Sequence, residues 1–238
     1  MESVKGKNIL VAGATGGIGA ETAKLLSSSG AHVFLAGRNE QKLAQLAEQL
    51  QLPAGRTCVM DISKPEDVSK VRQQYFEQFP AIDILINVTG VGIIKPAEQL
   101  TEADFLTSLH TNLFGAFLLV KAFLPSMKEA KKGLIINIPG VLGKVPMAGA
   151  AAYSASKYGL VGMMQSIREE LKRTDIRITN LFMGGVDSPF WDTIDLRVQK
   201  EKMIRTQEAA KAIWFLCQQP ASGVVSEMVL QPFNHQAI

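Results

Sequence analysis

Two side chains capable of acid–base chemistry stand four residues apart in the segment YSASK, which contains Tyr153 and Lys157. On a helix, residues at this spacing share one face and lie one turn apart. A lysine cation close to a phenol favours the phenolate and therefore lowers the pKa of the tyrosine. The pair indicates a tyrosine that could give or take a proton during catalysis.

A hydroxyl that could work beside this tyrosine is missing from the preceding segment. The apolar run GLIINI, at 133–138, is followed directly by Pro139 and Gly140, and residues 137–145 contain no serine, threonine or tyrosine. The segment therefore leaves open whether the site is catalytically complete.

Composition limits the classes of protein to which the chain can belong. Its 238 residues suit one α/β domain with a sizeable core. The net charge of +3, with no basic run longer than Lys131-Lys132, argues against nucleic-acid binding. The three histidines are scattered, so no metal site is expected.

The remaining composition favours an ordinary cytoplasmic protein. Cys58 and Cys217 fall in apolar segments without a CxxC spacing, which predicts buried thiols in a reducing compartment. The amino terminus enters an apolar strand at once, so no signal peptide is expected. The apolar run at 113–120 is shorter than the roughly 20 residues that a membrane span needs, so no membrane association is predicted.

Short apolar runs alternate along the chain with stretches of helical periodicity. Several runs are apolar on both faces, which is typical of a parallel sheet covered on both sides. The predicted strands are 8–13, 31–37, 57–61, 82–88, 133–138, 176–182 and 226–231. The alternation predicts an α/β, three-layer doubly wound (Rossmann) fold with about seven parallel strands, forming a single domain over 1–238.

Several helix ends are legible in the sequence. Ser63 to Glu66 has the spacing of a capping box, with Pro65 near the first helical position, and Thr101 to Asp104 opens the next helix in a similar way. Gly30 is expected to end the first helix in the left-handed conformation. Long helices are predicted at 101–130 and 152–172.

A glycine-rich loop joins the first predicted strand to the first helix. Gly13, Gly16, Gly17 and Gly19 let the chain turn tightly and bring backbone N–H groups close to a pyrophosphate. The amino terminus of a helix that begins near Ile18 adds positive potential. A glycine turn without a ligand is the alternative, but the strand–loop–helix setting favours a dinucleotide.

The end of the second strand distinguishes the two nicotinamide dinucleotides. Proteins that bind NAD usually carry an acidic residue there for the ribose 2′-hydroxyl. This chain has Gly37, Arg38 and Asn39, so no carboxylate repels a 2′-phosphate and Arg38 could pair with one. NADP(H) is therefore predicted over NAD(H), with a solvated Arg38 as the alternative.

With these motifs in order over nearly the whole chain, the sequence resembles the classical short-chain dehydrogenase/reductase family. The glycine loop matches the family's TGxxxGxG, except that Ala12 replaces its threonine, and 87–90 matches its NNAG at the outer positions only. The resemblance implies cofactor contacts from Gly13, Thr15, Gly16, Gly17, Ile18, Gly19, Arg38, Asn39, Asp61, Ile62, Asn87, Gly90, Tyr153, Lys157, Val186 and Ser188.

The resemblance also implies a reaction, in which a hydride moves between the nicotinamide and a carbonyl or alcohol carbon. Tyr153 would act as the general acid or base, Lys157 would hold the nicotinamide ribose, and Asn112 would hold a water in a proton relay. The family's serine, thirteen residues before the tyrosine, is replaced by Gly140. Three interpretations stay open. The protein could be a competent reductase whose missing donor is supplied by Ser188, by the substrate or by a water. It could also be a slow enzyme, or a dinucleotide-binding protein that acts as a sensor or an assembly subunit.

The substrate pocket is expected to be apolar, with a lid at about 184–204. Its predicted residues are Gly140, Val141, Leu142, Met183, Phe190 and Trp191. Some of these could instead pack the lid. No arginine is placed for a substrate carboxylate, so a neutral carbonyl or alcohol is predicted. The long helices have apolar residues on more than one face, and the family pairs them, so a homodimer or homotetramer is expected.

Overall fold

Residues 1–238 are all described by the computed structural model, and a parallel sheet forms the centre of the fold. The strands are β1 (Asn8–Ala12), β2 (His32–Gly37), β3 (Thr57–Val59), β4 (Ile84–Asn87), β5 (Lys132–Asn137), β6 (Asp175–Met183), β7 (Val186–Asp187), β8 (Ile204–Arg205) and β9 (Glu227–Leu230). Seven of them form one sheet in the order β3-β2-β1-β4-β5-β6-β9, with every pair parallel. The strand order reverses between β1 and β4, which opens a crevice at their carboxyl ends.

Two layers of helices cover the sheet. They are α1 (Gly17–Ser28), α2 (Glu40–Gln49), α3 (Pro65–Gln78), α4 (Glu102–Leu109), α5 (Gly115–Ala130), α6 (Ala151–Glu170) and α7 (Thr206–Leu216). Alternate strand residues face opposite layers. Leu10, Leu85 and Ile135 pack with α3, α5 and α6, whereas Ile9 and Ile84 pack with α1, α2 and α7. The predicted three-layer doubly wound fold is thus confirmed.

The helix ends agree with the sequence patterns at two of three sites. Thr101 and Asp104 form the expected capping box, and Gly30 has a φ of +82°. The capping box predicted at Ser63 is wrong, because α3 is preceded by Lys64 and has no side-chain cap. The Ser63 hydroxyl instead donates to Asp61 Oδ1 at 2.7 Å. The hydroxyl expected to cap α3 is therefore engaged in a local turn.

The helix predicted over 101–130 contains a π-helical segment, His110–Phe114, between α4 and α5. Such wide turns concentrate at functional sites, and this one contains the buried Asn112. By length and composition alone, Glu102–Ala130 is the one helix that could cross a membrane, and a third of its most apolar window is buried. Its inner face carries core residues such as Leu119 and Phe123, as expected for a central helix of this sheet.

The segment predicted as a lid, 184–204, folds back on itself. Strands β7 and β8 pair in parallel at its two ends, and neither two-residue strand was legible in the sequence. Trp191 Nε1 donates to the carbonyl of Val186 at 2.9 Å. This hydrogen bond ties the 3-10 turn Pro189–Thr193 to β7.

Candidate active site

Tyr153 and Lys157 lie on α6, one turn apart, at the carboxyl edge of the sheet. Lys157 is almost completely buried, and its Nζ donates to the carbonyl of Ile138 at 3.0 Å. The same Nζ lies 5.6 Å from the centre of the Tyr153 ring. The predicted pairing on one helix face is therefore present, although the lysine bonds to the backbone after β5 and not to the phenol.

Burial dominates the protonation of both groups. It raises the pKa of Tyr153 above its ordinary value of 10 and lowers the pKa of Lys157 to about 8. The expected lowering of the Tyr153 pKa by its lysine neighbour is thus absent from the protein alone. Desolvation outweighs the cation because Lys157 is itself buried and directed at the Ile138 carbonyl.

The side chain of Asn112 joins the loop after β4 to α6. Its Oδ1 accepts from the N–H of Val91 at 2.9 Å, and its Nδ2 donates to the Val91 carbonyl and to Ser156 Oγ, both at 3.0 Å. Ser156 in turn donates to the carbonyl of Tyr153 at 2.6 Å. The Asn112 amide therefore links the loop at Val91 to α6, and the sequence pattern did not single out its partner Ser156.

Gly140 adopts a backbone conformation that glycine alone takes readily, with φ +71° and ψ 170°. A Cβ added there would lie 3.4 Å from the Met183 carbonyl oxygen and 3.9 Å from the Tyr153 hydroxyl. The Tyr153 hydroxyl donates to no group of the protein, whereas the Tyr153 carbonyl accepts from Ser156. Gly140 thus contributes no side-chain donor beside the phenol.

The glycine loop leaves the amino terminus of α1 open to an anion. Gly13 has a φ of +92°, and a Cβ on Gly19 would lie 2.2 Å from the Gly13 carbonyl oxygen, so the turn requires both glycines. Gly16 is exposed and precedes α1 without any side-chain cap. Uncapped N–H groups at an exposed helix start are able to bind an anion, and the pyrophosphate contact stays a prediction.

Other predicted cofactor residues surround this loop. Thr15 lies over Gly37, at 2.8 Å from a Cβ added there, whereas Val186 is buried in β7. Ser188 and Thr206 both lie close to Gly17, at 3.1 and 3.0 Å from a Cβ built on it. Thr206 begins α7, far along the chain, and only the folded lid brings it here, so the sequence could not identify it.

The far end of the crevice carries Arg38, which is exposed and forms no ion pair. Asn39 is occupied as the cap of α2, with Oδ1 accepting from Lys42 N at 2.8 Å. Although burial opposes it, two hydrogen bonds from Ser63 and the nearby Arg38 cation hold the pKa of Asp61 below its ordinary value. Asp61 and Arg38 thus share one rim of the crevice.

Two more predicted cofactor residues are held inside the fold. Ile62 is buried against Gly115, so its side chain belongs to the core. Asn87 is buried, and its Oδ1 accepts from the Thr89 hydroxyl at 2.6 Å. A Cβ on Gly90 would lie 3.4 Å from Lys157 Nζ, so the loop after β4 passes directly beside the lysine.

An aromatic side chain of the 184–204 segment lies against the tyrosine. The rings of Phe190 and Tyr153 are 6.0 Å apart, and Trp191 meets Phe190 edge to face at 5.4 Å. Val141 and Leu142 form a half-buried 3-10 turn beside the site, and Met183 is buried at the end of β6. Of the predicted pocket residues, Gly140 and Phe190 lie directly beside Tyr153, whereas Trp191 contacts Phe190 instead.

Residues 7–198 match the family model described as short chain dehydrogenase. Uncharacterised oxidoreductases of Staphylococcus epidermidis and Staphylococcus saprophyticus are 32% and 31% identical, each over 98% of this chain and all of the relative. A metagenomic short-chain oxidoreductase solved with NADP is 31% identical, with a TM-score of 0.81 over 97% of this chain and 99% of that one.

Two further solved structures resemble the fold. A variant of actinorhodin polyketide ketoreductase with NADPH is 26% identical, with a TM-score of 0.85 over 98% of each chain. An alcohol dehydrogenase of the archaeon Thermococcus sibiricus, complexed with 5-hydroxy-NADP, has a TM-score of 0.88 over 98% of this chain and all of that one. At 24% identity the latter supports the fold alone.

Proposed function

Because the chain belongs to the short-chain dehydrogenase family, we propose that it is an NADP(H)-dependent oxidoreductase that interconverts a neutral, fairly apolar carbonyl compound and its alcohol. The observation that carries this proposal is the placement of Tyr153 beside the buried Lys157 at the carboxyl edge of the sheet, where the open glycine loop also lies. A bound nicotinamide would supply or accept the hydride.

Tyr153 is the proposed proton donor in the reduction. Because its pKa is raised, the phenol stays protonated at neutral pH, which is the form that a carbonyl reduction requires. The alkoxide that develops on the substrate is a far stronger base than a phenolate, so it can take the proton. Oxidation would need the phenolate, and the cation of an oxidised nicotinamide would favour that form.

Lys157 and Asn112 are proposed to position the reactants. The ammonium of Lys157 carries three hydrogens and uses one on Ile138, so two remain for the hydroxyls of a nicotinamide ribose. Asn112 fixes the loop at Val91 against α6, and a water chain beside it is proposed to return the proton to solvent. Such fixed placement is a large part of enzymatic rate enhancement.

The preference for NADP(H) is proposed from Arg38. Its guanidinium is exposed at the end of β2 and free of ion pairs, so it is available to a 2′-phosphate. No carboxylate stands within Gly37, Arg38 or Asn39 to oppose one. The structures with NADP and NADPH among the similar proteins support the same choice.

A second candidate is an NADP(H)-binding protein with impaired catalysis, acting as a sensor or an assembly subunit. The observation in its favour is Gly140, which offers no hydroxyl beside Tyr153. Loss of one such donor from a preorganised site typically costs about 3–4 kcal/mol, or roughly 10² to 10³ in rate. The two candidates share the cofactor and differ in turnover.

The test is NADPH oxidation with a panel of neutral aldehydes, ketones and quinones, after NADPH binding has been established. We expect turnover that Tyr153→Phe abolishes while NADPH still binds. Tyr158→Phe is the matched control, because Tyr158 lies on the same helix and is 45% exposed. NADPH binding without any turnover across the panel would favour the second candidate.

We further propose that the chain forms a homodimer or homotetramer through α4, α5 and α6. Together with the π-helical segment between α4 and α5, these helices expose a patch made of Phe105, Leu106, Phe114, Phe117 and Tyr158. A groove of about 560 Å³ runs through it, lined by Leu109, His110, Leu113, Phe114, Phe117, Gly159 and Met163. Contiguous apolar surface of this kind is typical of protein contacts.

A cytoplasmic location is proposed from the cysteines. Cys58 and Cys217 are both buried and unpaired, which suits a reducing compartment.

A further inference from the structure

The Phe190 ring packs between the loop after β4 and α6. A Cβ added to Gly92 would lie 2.3 Å from Phe190 Cζ and 2.8 Å from Ile194 Cδ1, so the ring fits only because residue 92 has no side chain. On its other side, the Phe190 ring contacts Tyr153, with 6.0 Å between ring centres. Trp191, anchored to Val186, supports Phe190 edge to face.

Packing around the Tyr153 hydroxyl is looser on the side of Gly140 than on the side of Phe190. A Cβ built there meets only two atoms within 4 Å, the Met183 carbonyl oxygen and the Tyr153 hydroxyl. No Phe190 atom comes that close to it. The absence of a side chain at 140 therefore removes a donor and also leaves room beside the phenol. A substrate carbonyl bonded to Tyr153 would therefore meet the tightly packed Phe190 ring on one side. On the other side it would meet a residue without a side chain.

We infer that Phe190 determines substrate specificity by allowing only one bulky group on the carbonyl carbon. The inference rests on the proposed function and names its substrate class, which is aldehydes and ketones with one narrow substituent, such as methyl ketones. The narrow group faces Phe190 and the larger group extends past Gly140. A carbonyl flanked by two bulky groups collides with Phe190, whose retreat is blocked at Gly92.

The experiment compares acetophenone, which has one methyl group, with benzophenone, which has two rings, as substrates with NADPH. We expect wild-type kcat/KM to favour acetophenone, and Phe190→Ala to reduce that ratio at least tenfold by restoring benzophenone, because pocket volume is worth 10- to 200-fold per methylene. Phe190→Leu, a smaller change to the lid, should shift the ratio in the same direction. Phe233→Ala is the control, because Phe233 is 94% exposed near the carboxyl terminus. A ratio unchanged within twofold in both Phe190 variants would overturn the inference.

A binding measurement separates this inference from the proposed function. If neither protein oxidises NADPH with either ketone, the proposed reaction fails. The proposed size limit on the substrate is then tested by calorimetry, which measures the equilibrium binding of the same two ketones to the NADP⁺-loaded proteins. Acetophenone preferred by wild type and equal affinities in Phe190→Ala would sustain the inference, whereas identical preferences in both proteins would refute it.

Discussion

The Tyr153 hydroxyl lies 3.9 Å from the point where a Cβ on Gly140 would stand. A serine at 140 would therefore lie beside the phenol, as the family resemblance implies. The backbone at this residue works against such a replacement, because φ +71° with ψ 170° is strained for any residue with a side chain. A serine at position 140 would thus restore a hydroxyl beside Tyr153 but strain the backbone after β5.

Gly140→Ser should show both effects at once. We expect a loss of about 1–3 kcal/mol in the free energy of unfolding from the positive φ, measured by urea denaturation. We also expect kcat for carbonyl reduction to rise by up to roughly 10²-fold, because a donor is regained. Gly140→Ala is the matched control, since it adds the same strain without a hydroxyl. An equal gain in kcat from alanine would show that the donor is not the cause.

Stability should rise with pH just above neutrality because of Lys157. Its pKa is lowered to about 8 in the folded protein from 10.5, so the unfolded chain holds the proton between these values. Stability rises with pH wherever the unfolded state binds more protons. Burial also raises the pKa values of the Cys58 and Cys217 thiols, which lowers stability above about pH 8 in every variant that keeps them. Relative to Lys157→Met, the wild type should therefore gain about 1 kcal/mol from pH 7 to pH 9. Tyr153 acts in the opposite direction only above pH 10, where the unfolded chain releases its proton first. An equal pH dependence of the free energy of unfolding in wild type and Lys157→Met would show that the Lys157 amine is not desolvated.

Arg38→Asp should reverse the cofactor preference. The change removes the cation proposed for the 2′-phosphate and adds a carboxylate that repels it, so NADPH binding should weaken by roughly 10²-fold while NADH binding holds or improves. Fluorescence titration of both cofactors measures this. Arg173→Asp makes the same charge change at an exposed site past the end of α6 and should leave both affinities unaltered. Unchanged NADPH affinity in Arg38→Asp would remove the basis for the proposed preference.

The elements that sequence patterns predicted well are those fixed by local chemistry. The seven strands of the main sheet coincide with short, largely apolar runs, and the Thr101–Asp104 box and Gly30 depend only on nearby backbone groups. The spacing of Tyr153 and Lys157 needed nothing but helical geometry. The glycine loop was equally legible, because Gly16 and Gly19 lie against the Gly13 carbonyl within the loop itself. Gly17 differs, since it makes room for Ser188 and Thr206 from distant segments.

The features that were missed depend on contacts between distant segments. The fit of Phe190 against Gly92 joins the lid to the loop after β4, and no local pattern marks it. Ser63 looked like a helix cap, but Asp61 two residues earlier competed for its hydroxyl. The pKa of Tyr153 is raised and not lowered, because the spacing to Lys157 is visible in the sequence whereas the burial of both groups is not.

The exposed patch on α4, α5 and α6 gives a direct test of assembly. Phe117 lies on α5 and is 39% exposed, so a charge there should cost little within one subunit but would be buried without a partner in an interface. We expect Phe117→Glu to shift the mass in light scattering at micromolar concentration from an oligomer toward the monomer. Phe215→Glu is the matched control, because Phe215 is 43% exposed on α7, in the opposite helical layer. A wild-type monomer, or an oligomer that survives Phe117→Glu intact, would place any subunit contact elsewhere on the molecule.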